Sequence, residues 1–323
     1  MSWPDARLLR WTPTTRVTSD DGTDIAVEIL GDGHPGPTIV FTHGWTLSSR
    51  SWHYQRALAE RHRLVLMDHR DHGESDTGPR ENRTVTQVGR DLYAVLEATC
   101  AGRDVVLVGH SMGGMTIMSL AGQYPELFGP RVKAVALLDT SAARNPDDTF
   151  RLRGPLAKAF IRNWSTQLAL MSSDPDKAER LRRSGSRVSV AVSRFLNLGV
   201  KPDKRIATFV EAMTAQTRAQ VVGDFWLSLD ALDQRESLAA LANVSALVIV
   251  GERDRLTTPA HARAIASAIP GARLLELRGA GHCAMLEQPE QINAALLDLV
   301  ASASATPSAY PASAQRRRQK VTS

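Results

Sequence analysis

Cysteine is scarce in this 323-residue chain: Cys100 and Cys283 are the only two. Two isolated thiols make no disulfide framework, and without a C-x-x-C pair the usual zinc-site spacing is missing. Reduced thiols and a cytoplasmic location are therefore expected. No apolar run approaches the roughly 18 residues of a membrane-spanning helix, and Met1–Thr15 lacks the apolar centre of a secretory signal. No internal repeat is visible. The 43% hydrophobic and 23% charged content is that of an ordinary globular protein, which excludes a collagen-like or wholly disordered chain. At this length about 75% of the unfolded surface can be buried, so the core needs no covalent staple.

The net charge is +5. Residues 141–242 hold 16 Lys/Arg against 11 Asp/Glu, and residues 315–323 hold four positive residues and no negative one. Basic residues are not interleaved with aromatics as in nucleic-acid-binding surfaces, so no nucleic-acid partner is expected. The stretch Arg180, Arg182, Arg183 and Arg187 reads as a solvated helix face.

Apolar runs of strand length alternate with helical patterns over the first 140 residues. Strands are predicted at 23–30, 38–42, 64–68, 105–108 and 132–138, and helices at 49–61, 84–99 and 112–124. The rhythm stops over 141–242, where the pattern is helical, and resumes with strands at 246–250 and 273–277 and helices at 259–269 and 290–300. Continuously apolar strands separated by helices imply an α/β fold with a mostly parallel, doubly wound sheet. The core is thus expected from 1–140 and 243–300, with an insertion over 141–242. Residues 301–323, low in complexity and ending in a basic cluster, are predicted to be disordered.

The string VVLVGHSMGG (105–114) places G-x-S-x-G at Gly109, Ser111 and Gly113, between a buried strand and an apolar helix. A serine on such a sharp turn projects above the sheet edge, and the helix N-terminus beneath it favours developing negative charge. Ser111 is the predicted nucleophile, in competition with a plain helix N-cap. His110, the variable position, is expected to pack beside the turn. A serine hydroxyl needs a base, and that base an orienting acid. His282, in LRGAGHCAMLEQPE, is the histidine that follows a strand end on a glycine-rich loop. Two carboxylates stand at strand ends, Asp254 after ALVIVGER and Asp139 after VALL; the chain order Ser111, Asp254, His282 favours Asp254. Oxyanion donors are expected from the backbone N–H groups of Met112 and of Trp45 in the string HGW, with His43 organising that loop.

These strings, together with MDHRDHGES (67–75) and GERDRLTTP (251–259), resemble the α/β-hydrolase fold superfamily in its lid-bearing esterase, lipase and haloperoxidase-like branch. The resemblance implies that 141–242 is a helical cap between strands six and seven. Serine in place of the aspartate nucleophile of dehalogenases and epoxide hydrolases implies acyl-enzyme chemistry. The cluster Asp68, His69, Asp71 and His72 is implied to be a structural loop, with no metal and no cofactor. Asp71 departs from the family, which usually has glycine there. Aromatic and aliphatic residues of the insertion, among them Phe209, Met213, Phe225 and Trp226, are expected partly to roof an apolar pocket floored by Trp45 and Met112. The expected activity is hydrolysis of small apolar or aromatic carboxylic esters. The alternatives are perhydrolysis, lactone opening or carbon–carbon hydrolysis on the same triad, or a slow-turnover ligand-binding protein.

Overall fold

The computed structural model describes residue 4 and residues 9–144, 155–184, 194–200 and 203–305. Eight strands form one sheet: β1 (Thr15–Thr18), β2 (Asp24–Leu30), β3 (Thr38–Thr42), β4 (Leu64–Met67), β5 (Val105–His110), β6 (Val132–Leu138), β7 (Ser245–Gly251) and β8 (Arg273–Leu277). Their order is β1-β2-β4-β3-β5-β6-β7-β8. β1 and β2 pair antiparallel, β2 meets β4 antiparallel, and every pairing from β4 to β8 is parallel.

β3, β4, β5 and β6 are buried along their whole length, because helices cover both faces. The strand period of two divides their side chains between two apolar clusters. Ile39, Phe41, Val106 and Val108 face one layer. Val40, Val105 and Leu107 face the other, where they meet Leu92, Val95 and Leu96 of α1 (Val85–Thr99) and Ile117 and Leu120 of α2 (Met112–Gln123). Thr84 caps α1 by accepting a hydrogen bond from the Gln87 N–H.

Between β6 and β7 the chain forms α3 (Pro155–Ser173), α4 (Pro175–Ser184), α5 (Lys204–Gln216) and α6 (Ala219–Asp230). Leu198, Ile206, Phe209 and Met213 join the apolar cluster on the Phe41 side of the sheet. After β7 come α7 (Pro259–Ala268), the short α8 (Ala284–Glu287) and α9 (Pro289–Ala305). Among the described residues no helix is long and apolar enough to cross a membrane.

The structure departs from the sequence reading in three places. The edge strand β1 was not predicted; its four residues are too few for a periodicity to show. The 49–61 stretch forms two short 3₁₀ helices, Ser49–Trp52 and Gln55–Glu60, rather than one α-helix. The predicted disordered tail begins too early: α9 continues to Ala305, with Leu299, Val300 and Ala303 packed in the core. The rest of that tail, with its basic cluster, lies outside the described residues, as does Arg187 of the Arg-rich stretch.

Candidate active site

Ser111 sits where β5 gives way to α2, at φ 52° and ψ −116°. A serine tolerates this conformation only where its surroundings hold it. Here its N–H donates to the Leu138 carbonyl (2.9 Å), while its own carbonyl accepts from Thr140 Oγ1 (2.7 Å) and the Met115 N–H (3.1 Å). The two motif glycines supply the space. A Cβ on Gly109 would lie 2.4 Å from the Gly113 carbonyl oxygen, and one on Gly113 would lie 2.2 Å from the Thr42 oxygen.

The sheet brings three sequence-predicted residues into one row, from loops that follow β5, β7 and β8. Ser111 Oγ and His282 Nε2 are 3.0 Å apart. His282 Nδ1–H donates to Asp254 Oδ2 at 2.8 Å, which leaves the Nε2 lone pair facing the serine hydroxyl. Asp254 is fully buried. Its Oδ1 accepts the N–H groups of Leu256 (2.8 Å) and Thr257 (3.0 Å), and Oδ2 also accepts from Thr257 Oγ1 (2.8 Å). Burial alone would push this carboxyl up, but the charge and hydrogen bond of His282, with those of Thr257 and Leu256, hold it below the usual range.

Asp139, the other strand-end carboxylate, has different partners: it accepts the N–H groups of Gly251 (2.7 Å) and Ala284 (3.2 Å). Burial, and then the neighbouring Asp254 charge, pushes its carboxyl well up. It ties the loops after β6, β7 and β8 together, and the acid hydrogen-bonded to His282 is Asp254.

The HGW loop passes directly against Ser111. A Cβ on Gly44 would lie 2.6 Å from His110 Nδ1 and 3.3 Å from Ser111 Cβ, so glycine is needed for the approach. Met112 begins α2, where backbone N–H groups have no acceptor inside the helix. Four buried imidazoles pack around these loops. His43 Nδ1–H donates to the Gly44 carbonyl (2.8 Å) and its Nε2 accepts the His69 N–H (2.9 Å). His72 Nε2 accepts the Thr46 N–H (3.2 Å). His110 Nε2–H donates to the His282 carbonyl (2.7 Å), linking the Ser111 turn to the loop that carries His282. Burial lowers all four, His69 and His110 to about 3, so they are neutral at pH 7.

Asp68, beside them, accepts the N–H groups of Ser49 (2.6 Å) and Glu74 (2.8 Å), which is loop architecture. Among the described residues no group of three or more His, Cys, Asp or Glu is arranged to hold a metal ion.

Two supporting residues had no role in the sequence reading. Thr257 Oγ1 braces Asp254 and lies 3.2 Å from His282 Nδ1. Glu287 accepts the N–H groups of Gly281 (2.8 Å) and Gly199 (2.8 Å), pinning the loop that carries His282 to the 194–200 segment. Their signal was present in the strings GERDRLTTP and GAGHCAMLEQPE, but neither spacing shows which backbone groups they meet. An apolar wall stands beside Ser111: Met112, Val88, Val221 and Phe225 pack together with Trp45, and the Trp45 and Trp226 rings are 5.9 Å apart.

A parallel sheet with a serine on its central turn, and a histidine and a carboxylate at neighbouring strand ends, defines the α/β-hydrolase architecture. The chain belongs to the alpha/beta hydrolase family, whose pattern matches residues 39–295. It is 29% identical over 287 residues to a putative carbamate hydrolase, RutD, of Azorhizobium caulinodans, across 85% of this chain and 94% of that protein. It is 26% identical over 293 residues to the dihydrolipoyllysine-residue acetyltransferase component of the acetoin cleaving system of Pseudomonas putida, spanning 90% of this chain and 66% of that longer protein. The structure of a putative aryl esterase from Burkholderia cenocepacia superposes with a TM-score of 0.71 at 25% identity, covering 90% of this chain and 98% of that one.

Proposed function

We propose that the protein is a serine hydrolase of carboxylic esters that works through an acyl-enzyme. The observation that carries this reading is the hydrogen-bonded row Ser111–His282–Asp254. His282 Nε2 takes the hydroxyl proton as Ser111 Oγ attacks the ester carbonyl. Asp254 holds the imidazole in the required tautomer and stabilises the imidazolium that forms. The N–H groups of Met112 and Trp45 stabilise the tetrahedral oxyanion. His282 then returns the proton to the leaving alkoxide, and water repeats the cycle on the acyl-enzyme, releasing the acid.

The substrate class follows from the wall beside Ser111. Met112, Val221, Phe225 and Trp226 suit an acyl chain or aromatic ring better than a sugar or a phosphate. In this reading the helices between β6 and β7 act as a cap that roofs the acyl pocket. The likeness to a putative aryl esterase points the same way. A fluorophosphonate probe is expected to label Ser111, and p-nitrophenyl esters graded in acyl length should show an optimum set by the wall. Wild-type turnover by Ser111→Ala on the short esters would overturn the proposal.

A further inference from the structure

Asp71 stands where the family usually has glycine, and its backbone shows why: φ is +63°. A non-glycine residue in this region persists only when its surroundings hold it. The Asp71 carboxylate is fully buried and takes a two-point contact from Arg83, Nη2 to Oδ1 at 2.9 Å and Nε to Oδ2 at 3.2 Å. The same guanidinium reaches on through Nη1 to Asp224 Oδ2 at 2.8 Å. Asp224 lies on α6, and also binds Arg80 (2.9 and 3.0 Å) and the Ser172 hydroxyl of α3. A continuous row of charges therefore runs from the turn after β4, through Arg83, to Asp224 on α6, where the neutral Ser172 of α3 adds a hydrogen bond.

Both ends of that row touch the site. His72, next to Asp71, accepts the Thr46 N–H in the loop that carries Trp45, and its ring lies 5.5 Å from that of Phe225 on α6. Close to Asp224, α6 carries Val221, three residues before it, and Phe225, directly after it, which pack with Met112 and Trp45, and then Trp226, whose ring faces that of Trp45. A planar guanidinium shared between two buried carboxylates fixes distance and orientation together.

We propose that Asp71 is a positioning residue that, through Arg83 and Asp224, seats α6 against the oxyanion loop and so sets the shape of the acyl pocket. The inference rests on the ester-hydrolase reading of the site, and its closing experiment has an arm that does not depend on it. Asp71→Gly suits a positive φ, so the fold should survive. Asp71→Asn keeps one acceptor for Arg83 and should lie between Asp71→Gly and wild type.

Hydrogen exchange on the full-length protein should show amides of 219–230 exchanging about tenfold faster in Asp71→Gly, with 112–123 unchanged. KM for a p-nitrophenyl octanoate should rise about five- to tenfold, with kcat for the acetate within about twofold. Asp71 Oδ1 also lies 3.6 Å from Arg218 Nη2 at the start of α6, so the double variant Asp71→Gly/Asp224→Asn should exchange faster than Asp224→Asn alone but slower than the product of the two single effects, because most of the coupling runs along one row. Exchange over 219–230 within twofold of wild type in Asp71→Gly, or multiplying effects in the double variant, would overturn the proposal. If exchange responds as expected while Ser111 resists the fluorophosphonate, the positioning role stands and the ester-hydrolase reading falls.

Discussion

Replacing Asp254 by Asn tests the division of labour between the two strand-end carboxylates. The substitution is sterically mild. The side-chain oxygen can still accept the Leu256 and Thr257 N–H groups, now held by Oδ1 at 2.8 and 3.0 Å. The Thr257 hydroxyl, which now donates to Oδ2, can turn and accept instead. The damage falls on His282. An amide NH₂ in place of Oδ2 donates towards Nδ1, 2.8 Å away in the wild type, and so drives the proton to Nε2. The nitrogen facing Ser111 then carries a hydrogen and cannot accept the hydroxyl proton. Loss of the correct tautomer costs about 10⁴ in kcat, equivalent to about 5.5 kcal/mol of transition-state stabilisation. Asp139→Asn is the control. It loses one of two backbone contacts, to Gly251 or Ala284, at a cost of about 1–3 kcal/mol in stability, and should keep kcat within about tenfold. Stopped assays on p-nitrophenyl acetate at pH 7.5, with circular dichroism to check folding, measure both. If Asp254→Asn kept kcat within tenfold of wild type while Asp139→Asn lost a thousandfold, the assignment of the acid would be refuted.

Further expectations come from the same geometry. Gly44→Ala places a methyl group 2.6 Å from His110 Nδ1 and 3.3 Å from Ser111 Cβ, so the loop carrying Trp45 must move; kcat should fall by about 10²–10³ with little change in melting temperature. His110→Phe removes the donor to the His282 carbonyl and should slow turnover by about tenfold while fluorophosphonate labelling persists, read from the ratio of labelling rates. Acid should destabilise the fold early. The unfolded chain protonates its imidazoles near 6.5, whereas His69 and His110 stay neutral in the fold down to about 3, so stability is full above pH 6.5 and is lost as pH falls towards 3. Each such imidazole contributes up to about 1.4 kcal/mol per pH unit, which urea midpoints between pH 7 and 5 will show; flat midpoints over that interval would contradict the neutral-imidazole assignment.

The fold was legible because its strands are short, continuously apolar and separated by helices long enough to show a 3.6-residue period. Val105–His110 followed by Met112–Gln123 is such a case, and the glycines between them mark the turn. The three-residue row was legible for a related reason. Parallel topology brings successive strand ends to one edge of the sheet, so residues placed after β5, β7 and β8 fall near one another. β1 escaped notice because an exposed edge strand of four residues needs no apolar alternation. The 49–61 stretch was misread because its apolar residues, Trp52, Tyr54 and Leu58, are buried by the core without belonging to one regular helix.

Local pattern alone determined which residues could be strand, turn or nucleophile in this chain, since apolar period and glycine placement act within a few residues. Tertiary structure put Asp254 rather than Asp139 in hydrogen-bond contact with His282, gave Thr257 and Glu287 their partners, and joined Asp71 to Asp224 through Arg83. Those outcomes depend on hydrogen bonds of about 3 Å between segments far apart in the chain, and no sequence spacing encodes a distance across the fold.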